Sequence, residues 1–90
     1  MTKIINQSKQ FKKDLKRISK QGKNLLELYE IVNKLVNNEF LDKKFKDHLL
    51  KGNYFKKREC HIAPDWLLIY QINKNELVLF RTGSHAELFR

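Results

Sequence analysis

Three histidines, an aspartate and an arginine set the chemistry open to this chain: His48, His61, His85, Asp65 and Arg81. Cleaving an RNA phosphodiester without a metal needs three groups. A base takes the proton of the ribose 2′-hydroxyl, a cation stabilises the charge that builds on the phosphate oxygens, and an acid protonates the departing 5′-oxygen. Imidazole suits the proton transfers because its unperturbed pKa is about 6.5. Arginine suits the phosphate because its planar fork stays charged and binds two oxygens together. Each residue also has an ordinary structural reading. Arg81 can pair with Glu59 across a sheet, Asp65 after Pro64 is a turn former, and a single histidine in a basic domain is often structural. The spacing His61-x-x-x-Asp65, with His48 and His85, also admits a metal. No cysteine pattern and no H-E-x-x-H motif supports one, so neither a metal nor a cofactor is expected.

Four of these five residues fall between Glu59 and Phe89, which also holds the only Trp, Pro and Cys. The stretch reads as strands. Arg58 to Ala63 alternates, Pro64-Asp65 turns, Trp66 to Ile72 is apolar on both sides, and Asn73-Lys74-Asn75 turns again. Leu77 to Thr82 follows, with Leu77, Leu79 and Arg81 on one side and Val78, Phe80 and Thr82 on the other. Gly83 breaks it, and Ser84-x-x-Glu87 has the spacing of a capping box. Upstream, Lys3 to Asn6 is a short edge or joining strand. Ser8 caps a helix with Phe11, Leu15 and Ile18 on its apolar stripe, and Gly22 ends it. Asn24 caps a second helix with Leu25, Leu28, Tyr29, Val32, Leu35 and Val36 on one face, and Asn37-Asn38 stops it. The two helices read as an antiparallel hairpin. Glu39 to Lys57 reads as a loop, pinned by Phe40, Leu41, Phe45, Leu49 and Leu50, and its length points to function. The expected fold class is α+β: strand, helix, helix and three meander strands, a small antiparallel sheet with the helices on one face. The bare face is then the working surface.

Ninety residues make one domain, 1–90. Nineteen Lys+Arg against ten Asp+Glu give a net charge of +9, which favours a polyanionic partner such as nucleic acid, an acidic protein or an anionic surface. Lys51, Lys56 and Lys57 in the loop are RNA-contact candidates on that ground. Trp66 and Phe89 can each stack on a base or belong to the core. Cys60 is alone, so no internal disulfide forms and a reducing cytoplasm fits best. No apolar run has the length of a membrane span or a signal sequence.

Three separated blocks carry a resemblance. They are Lys46-Asp47-His48 with Leu50-Lys51-Gly52, then Arg58-Glu59-Cys60-His61-Ile62 with Pro64-Asp65-Trp66-Leu67-Leu68-Ile69-Tyr70, and then Arg81-Thr82-Gly83-Ser84-His85-Ala86-Glu87-Leu88-Phe89. In these blocks, and in the basic helices before them, the chain resembles the YafQ branch of the RelE toxin superfamily over nearly its full length. The resemblance implies a compact ribonuclease toxin of a type II toxin–antitoxin pair, one that enters the ribosomal A site and cuts mRNA during translation. It also implies an acidic antitoxin that masks the basic surface and represses the shared operon, the complex binding operator DNA. Carried over by motif, the functional positions are His48, His61, Asp65, Trp66, Arg81, His85 and Phe89. His85 is then the general acid and Arg81 holds the scissile phosphate. His61 or Asp65, aided by His48, sets the base, and Trp66 and Phe89 shape or stack the substrate. Asn53-Tyr54 and Lys56-Lys57 lie in a variable part of the pattern, so no codon preference carries over, and Arg90 adds a charge beyond Phe89. Two alternatives use the same scaffold. One is a ParE-like gyrase poison, which needs no proton-transfer groups, and the other is a basic RNA- or ribosome-binding module without catalysis.

Overall fold

The computed structural model describes residues 3–89, residue 53 by its backbone alone. The expectation for Arg90 lies outside the described residues. The elements are β1 (Ile4–Gln7), α1 (Lys9–Lys20), α2 (Leu25–Val36), β2 (His48–Leu49), β3 (Arg58–Ala63), β4 (Trp66–Ile72), β5 (Glu76–Gly83) and α3 (His85–Leu88). Short 3-10 turns at Lys43–Phe45 and Gly52–Tyr54 flank β2. The fold is α+β, as expected, with a five-stranded sheet in the order β1-β5-β4-β3-β2.

Local signals set the helix ends. Ser8 and Asn24 accept from the free amides of Phe11 and Leu26, satisfying donors that the first helical turn leaves open. Gly22, just past α1, takes a φ of +81°, a conformation that other residues adopt at a cost. Ser84 and Glu87 form the reciprocal capping box.

Four expectations need correction. The sheet is mixed, because β1 runs parallel to β5, Ile4 beside Glu76 and Gln7 beside Leu79. The Glu39–Lys57 stretch contains a strand: His48 pairs with Glu59 and Leu49 with Arg58. Two residues carry no periodic signal; only the β3 edge makes them a strand. Within the same stretch Leu41, Phe45 and Leu50 pack inward as expected, but Phe40 and Leu49 are exposed. In α2 Ile31, which the expected apolar face left out, is buried, while Tyr29, which it included, is half exposed.

The main core lies between the helices and one sheet face. Phe11 and Ile18 of α1 and Leu28, Ile31, Val32, Leu35 and Val36 of α2 meet Cys60, Ile62, Trp66, Leu68, Tyr70, Leu77 and Leu79. On the other face Leu67, Ile69 and Leu88 form a smaller cluster with Leu50, Tyr54 and Phe80. That face is therefore covered in part by α3 and the Gly52–Tyr54 turn, and the rest is open.

A register shift changes what faces where on β5. Leu79 opposes Tyr70 but Arg81 opposes Ile69, so Phe80 is an extra residue in the ladder. Simple alternation put Arg81 with Leu77 and Leu79. The bulge turns it to the opposite face, beside Ile69, and turns Thr82 into the main core, where it accepts from Trp66 Nε1 at 2.9 Å. Among the described residues no helix is long and apolar enough to cross a membrane.

Candidate active site

The open sheet face gathers side chains from three strands and α3. His48 opposes Glu59, His61 opposes Leu67 and Arg81 opposes Ile69, so β2, β3 and β5 all present polar groups on this side. His61 and Arg81 stand on strands separated only by β4, and both overlook the same surface. His85, the first residue of α3, brings its ring to 5.9 Å from that of His61, centre to centre.

Each imidazole of this pair has a carboxylate. His61 Nε2 lies 3.3 Å from Glu59 Oε1. His48 Nε2 lies 3.9 Å from the same oxygen, and its Nδ1–H donates to the Lys46 carbonyl at 2.7 Å. Glu59 is 4% exposed, so an acidic group is held inside the face between two histidines. On the other side Asp65 Oδ1 accepts from the His85 amide at 3.1 Å and stands 3.6 Å from Nδ1 of that ring. Asp65 thus does more than shape the turn: it orients α3 at its first residue.

Arg81 has a partner other than Glu59. Its Nε and Nη2 donate to Asp14 of α1 at 2.7 and 3.2 Å. These bonds raise the guanidinium's pKa above its ordinary value. Asp14 is fully buried. Burial pushes its carboxyl up, but donation from Arg81, Arg17, Gln10 and the Thr82 amide outweighs this and leaves it below the ordinary 3.8.

Aromatic groups rim the site. Phe89 is 40% exposed, with its ring 5.8 Å from His85 and edge-on to Tyr54 at 5.6 Å. Tyr54 donates to the Leu88 carbonyl at 3.4 Å. Lys57 lies 4.3 Å above the Phe80 ring, while Lys51 and Lys56 are exposed on the same segment. A cleft of about 580 Å³ opens beside His61, lined among others by Glu30, Lys34, Lys44, Phe45 and Lys46.

Trp66 needs correction as an RNA-stacking group. It is buried on the helix side, its indole N–H committed to Thr82, with Lys23 5.7 Å from the ring. Its alternation partners Leu68 and Tyr70 already pointed to the core. Three site residues escaped sequence reasoning as participants: Glu59, Asp14 and Tyr54. Glu59 was detectable, since it stands two residues from His61 on the same side of an alternating strand. Asp14 and Tyr54 had no such signal; only tertiary packing brings them here. Among the described residues no three His, Cys, Asp or Glu side chains converge as a metal site would require.

The chain is thus a basic α+β scaffold with two carboxylate-backed imidazoles and an arginine on its open face. The family model described as "Bacterial toxin of type II toxin-antitoxin system, YafQ" matches residues 3–90, and the chain belongs to that family. It is 40% identical over 86 residues to the mRNA interferase toxin YafQ of Escherichia coli K12, covering 94% of each chain. Among solved structures, YafQ from E. coli BL21(DE3) superposes with a TM-score of 0.93 at 37% identity, over 98% of this chain and 99% of that one. YafQ in the E. coli DinJ–YafQ toxin–antitoxin complex gives 0.92 at 37%, over all of both chains. A metal-bound toxin from Helicobacter pylori gives 0.90 at 50%, over 99% and 100%.

Proposed function

We propose that this chain, as one domain over residues 1–90, is the toxin of a type II toxin–antitoxin pair and an endoribonuclease that cuts mRNA. The observation that carries this reading is the His61–His85 pair, 5.9 Å apart, each ring backed by its own carboxylate. Glu59 orients His61 so that one ring nitrogen faces the carboxylate and the other is free to take a proton. Asp65 sets α3 and the His85 ring in the same way. His61, with His48 across Glu59, serves as base for the 2′-hydroxyl. The 2′-oxygen attacks the adjacent phosphorus, and charge builds on oxygens beside Arg81. His85 gives its proton to the 5′-oxygen as the P–O bond breaks. The products are a 2′,3′-cyclic phosphate and a 5′-hydroxyl, and no metal is required in any step. Phe89 stacks on a base next to the cut, and Lys51, Lys56 and Lys57 hold flanking phosphates.

The partners follow from charge and family. An acidic antitoxin, the counterpart of DinJ, masks the surface of a chain with net charge +9, and the pair binds operator DNA. The ribosomal A site delivers the message, which places the reaction in the cytoplasm. Neither the gyrase poison nor the passive RNA-binding module has a use for the histidine–carboxylate pairs.

The test is primer extension on a defined message in a cell-free translation system. Wild type is run beside His85→Ala, with and without ribosomes, and with a chelator. Discrete cuts that persist in chelator and disappear in the variant are expected. Cuts abolished by chelator would replace the proton-transfer scheme with metal chemistry. No cuts by folded wild type would end the nuclease reading.

A further inference from the structure

Two polar residues of α1 have no explanation in the amphipathic pattern. Asp14 sits one turn from Phe11 and Ile18 on the face that enters the core, and it is fully buried. Arg17 reaches the end of β5 from the same helix. We infer that Asp14 and Arg17 are positioning residues, forming a brace that fixes Arg81 and the α3 turn carrying His85 in one frame. The inference rests on the nuclease reading above and adds to it how two groups from different elements are held in register.

The brace has two arms. In the first, Asp14 accepts from Arg81 Nε at 2.7 Å and Nη2 at 3.2 Å, from Arg17 Nη1 at 2.7 Å, from Gln10 at 3.2 Å and from the Thr82 amide at 3.2 Å. The carboxylate therefore grips both the side chain of Arg81 and the backbone that follows it. Two of the three guanidinium nitrogens are occupied, and Nη1 is the one Asp14 does not bind. In the second arm, Arg17 Nη2 donates to the Thr82 carbonyl at 2.8 Å and Nε stands 2.9 Å from Glu87 Oε2. Glu87 Oε1 accepts in turn from the Ser84 amide at 2.8 Å, the bond that caps α3 one residue before His85. Between Arg81 and His85, Thr82 is tied to α1 by its amide and carbonyl, and Ser84 to Glu87, which stands beside Arg17.

Two further observations separate this arrangement from a chance surface pair. The edge of β5 past Leu79 has no strand beside it, because β1 pairs only as far as Leu79. Asp14 and Arg17 take the place of a strand there, bonding the amide and carbonyl of Thr82. And the brace closes over Gly83, where a Cβ would stand 2.5 Å from Arg17 Nη2 and 2.8 Å from Glu87 Oε1. Burying a carboxylate between two guanidiniums is seldom the most stabilising choice, since apolar side chains of similar volume hold a core as well or better. What it supplies is direction: a long flexible arginine kept in one rotamer before substrate arrives, and so a smaller ordering cost at the reaction.

A double-mutant cycle reads this directly. Single-turnover cleavage and KM are measured for wild type, Asp14→Asn, Arg81→Ala and the double variant, with thermal melts to confirm folding. Asp14→Asn keeps the shape of the side chain and removes its charge. A misplaced Arg81 is expected to lower kcat by about 100-fold with a much smaller change in KM. In the Arg81→Ala background Asp14→Asn should then cost nothing further. A folded Asp14→Asn with wild-type kcat, or penalties that multiply in the double variant, would overturn the brace. Should Asp14→Asn fail to fold, Arg17→Gln decides through its split between kcat and KM. Its kcat is expected to fall with a much smaller change in KM, and a folded Arg17→Gln with wild-type kcat would likewise overturn the proposal. If wild type makes no cuts the nuclease reading falls; if Arg81→Ala cuts normally the role of Arg81 falls. Both are distinct from failure of the brace.

Discussion

Tyr70→Phe removes a single oxygen and tests how the segment carrying His48 is held. The Tyr70 hydroxyl donates to Asp47 Oδ1 at 2.5 Å, and Arg58 donates to the same carboxylate at 3.2–3.3 Å. Asp47 immediately precedes β2, which has only two residues of ladder to fix it. A hydrogen bond to an ionised acceptor contributes about 1.5–3 kcal/mol. The lower end applies here, because Asp47 keeps Arg58 and its partly exposed carboxylate can recruit water in place of the hydroxyl. A loss of about 1.5 kcal/mol lowers Tm by roughly 6–12 °C in a domain of this size. Trp66 is the only tryptophan and is buried, so its fluorescence follows unfolding. A second signature comes from titration. Burial first, then Asp47, pushes the Tyr70 phenol above its ordinary 10.0. A pKa raised by folding gives stability that is complete below the unfolded value and is lost as pH rises above it. The gap between wild type and variant should be constant from about pH 7 to 9 and narrow above about pH 10. Equal Tm values at neutral pH, or a gap that widens in alkali, would refute the reasoning.

Acid should weaken the brace. Hydrogen bonds hold the carboxyls of Asp14 and Glu87 below their ordinary 3.8 and 4.5, the Ser84 amide being the main cause at Glu87. A depressed pKa gives stability that is present above the unfolded value and lost as pH falls through the folded one. Urea unfolding of wild type should therefore lose stability below about pH 4.5 more steeply than that of Asp14→Asn; parallel curves would contradict this. Cys60 is fully buried, and burial first, then the nearby Asp47 and Glu59 carboxylates, raises its thiol well above the ordinary 9.0. It should resist a thiol reagent in the native protein and react fully in denaturant; rapid native labelling would show the core at β3 to be open.

The sequence by itself determined what depends on near neighbours. Ser8, Asn24, Gly22 and the Ser84–Glu87 box mark helix ends because capping joins groups within three or four residues. The apolar stripes of α1 and α2 and the alternation of β3 follow from the helical and strand periods, and with them the α+β class and the face bearing His61. The order of the blocks from Lys46 to Phe89 carried the family. Tertiary structure decided what depends on partners far along the chain. His48 and Leu49 are a strand only because β3 offers them an edge, and β1 is parallel because it returns beside β5. The extra residue at Phe80 moved Arg81 across the sheet, since a period of two reverses with a single insertion. Asp14, 67 residues before Arg81, looked like one more polar position on a basic helix. Its role exists only where α1 crosses the open end of β5, because a buried carboxylate is defined by the donors around it and none of those but Gln10 and Arg17 is near it in sequence.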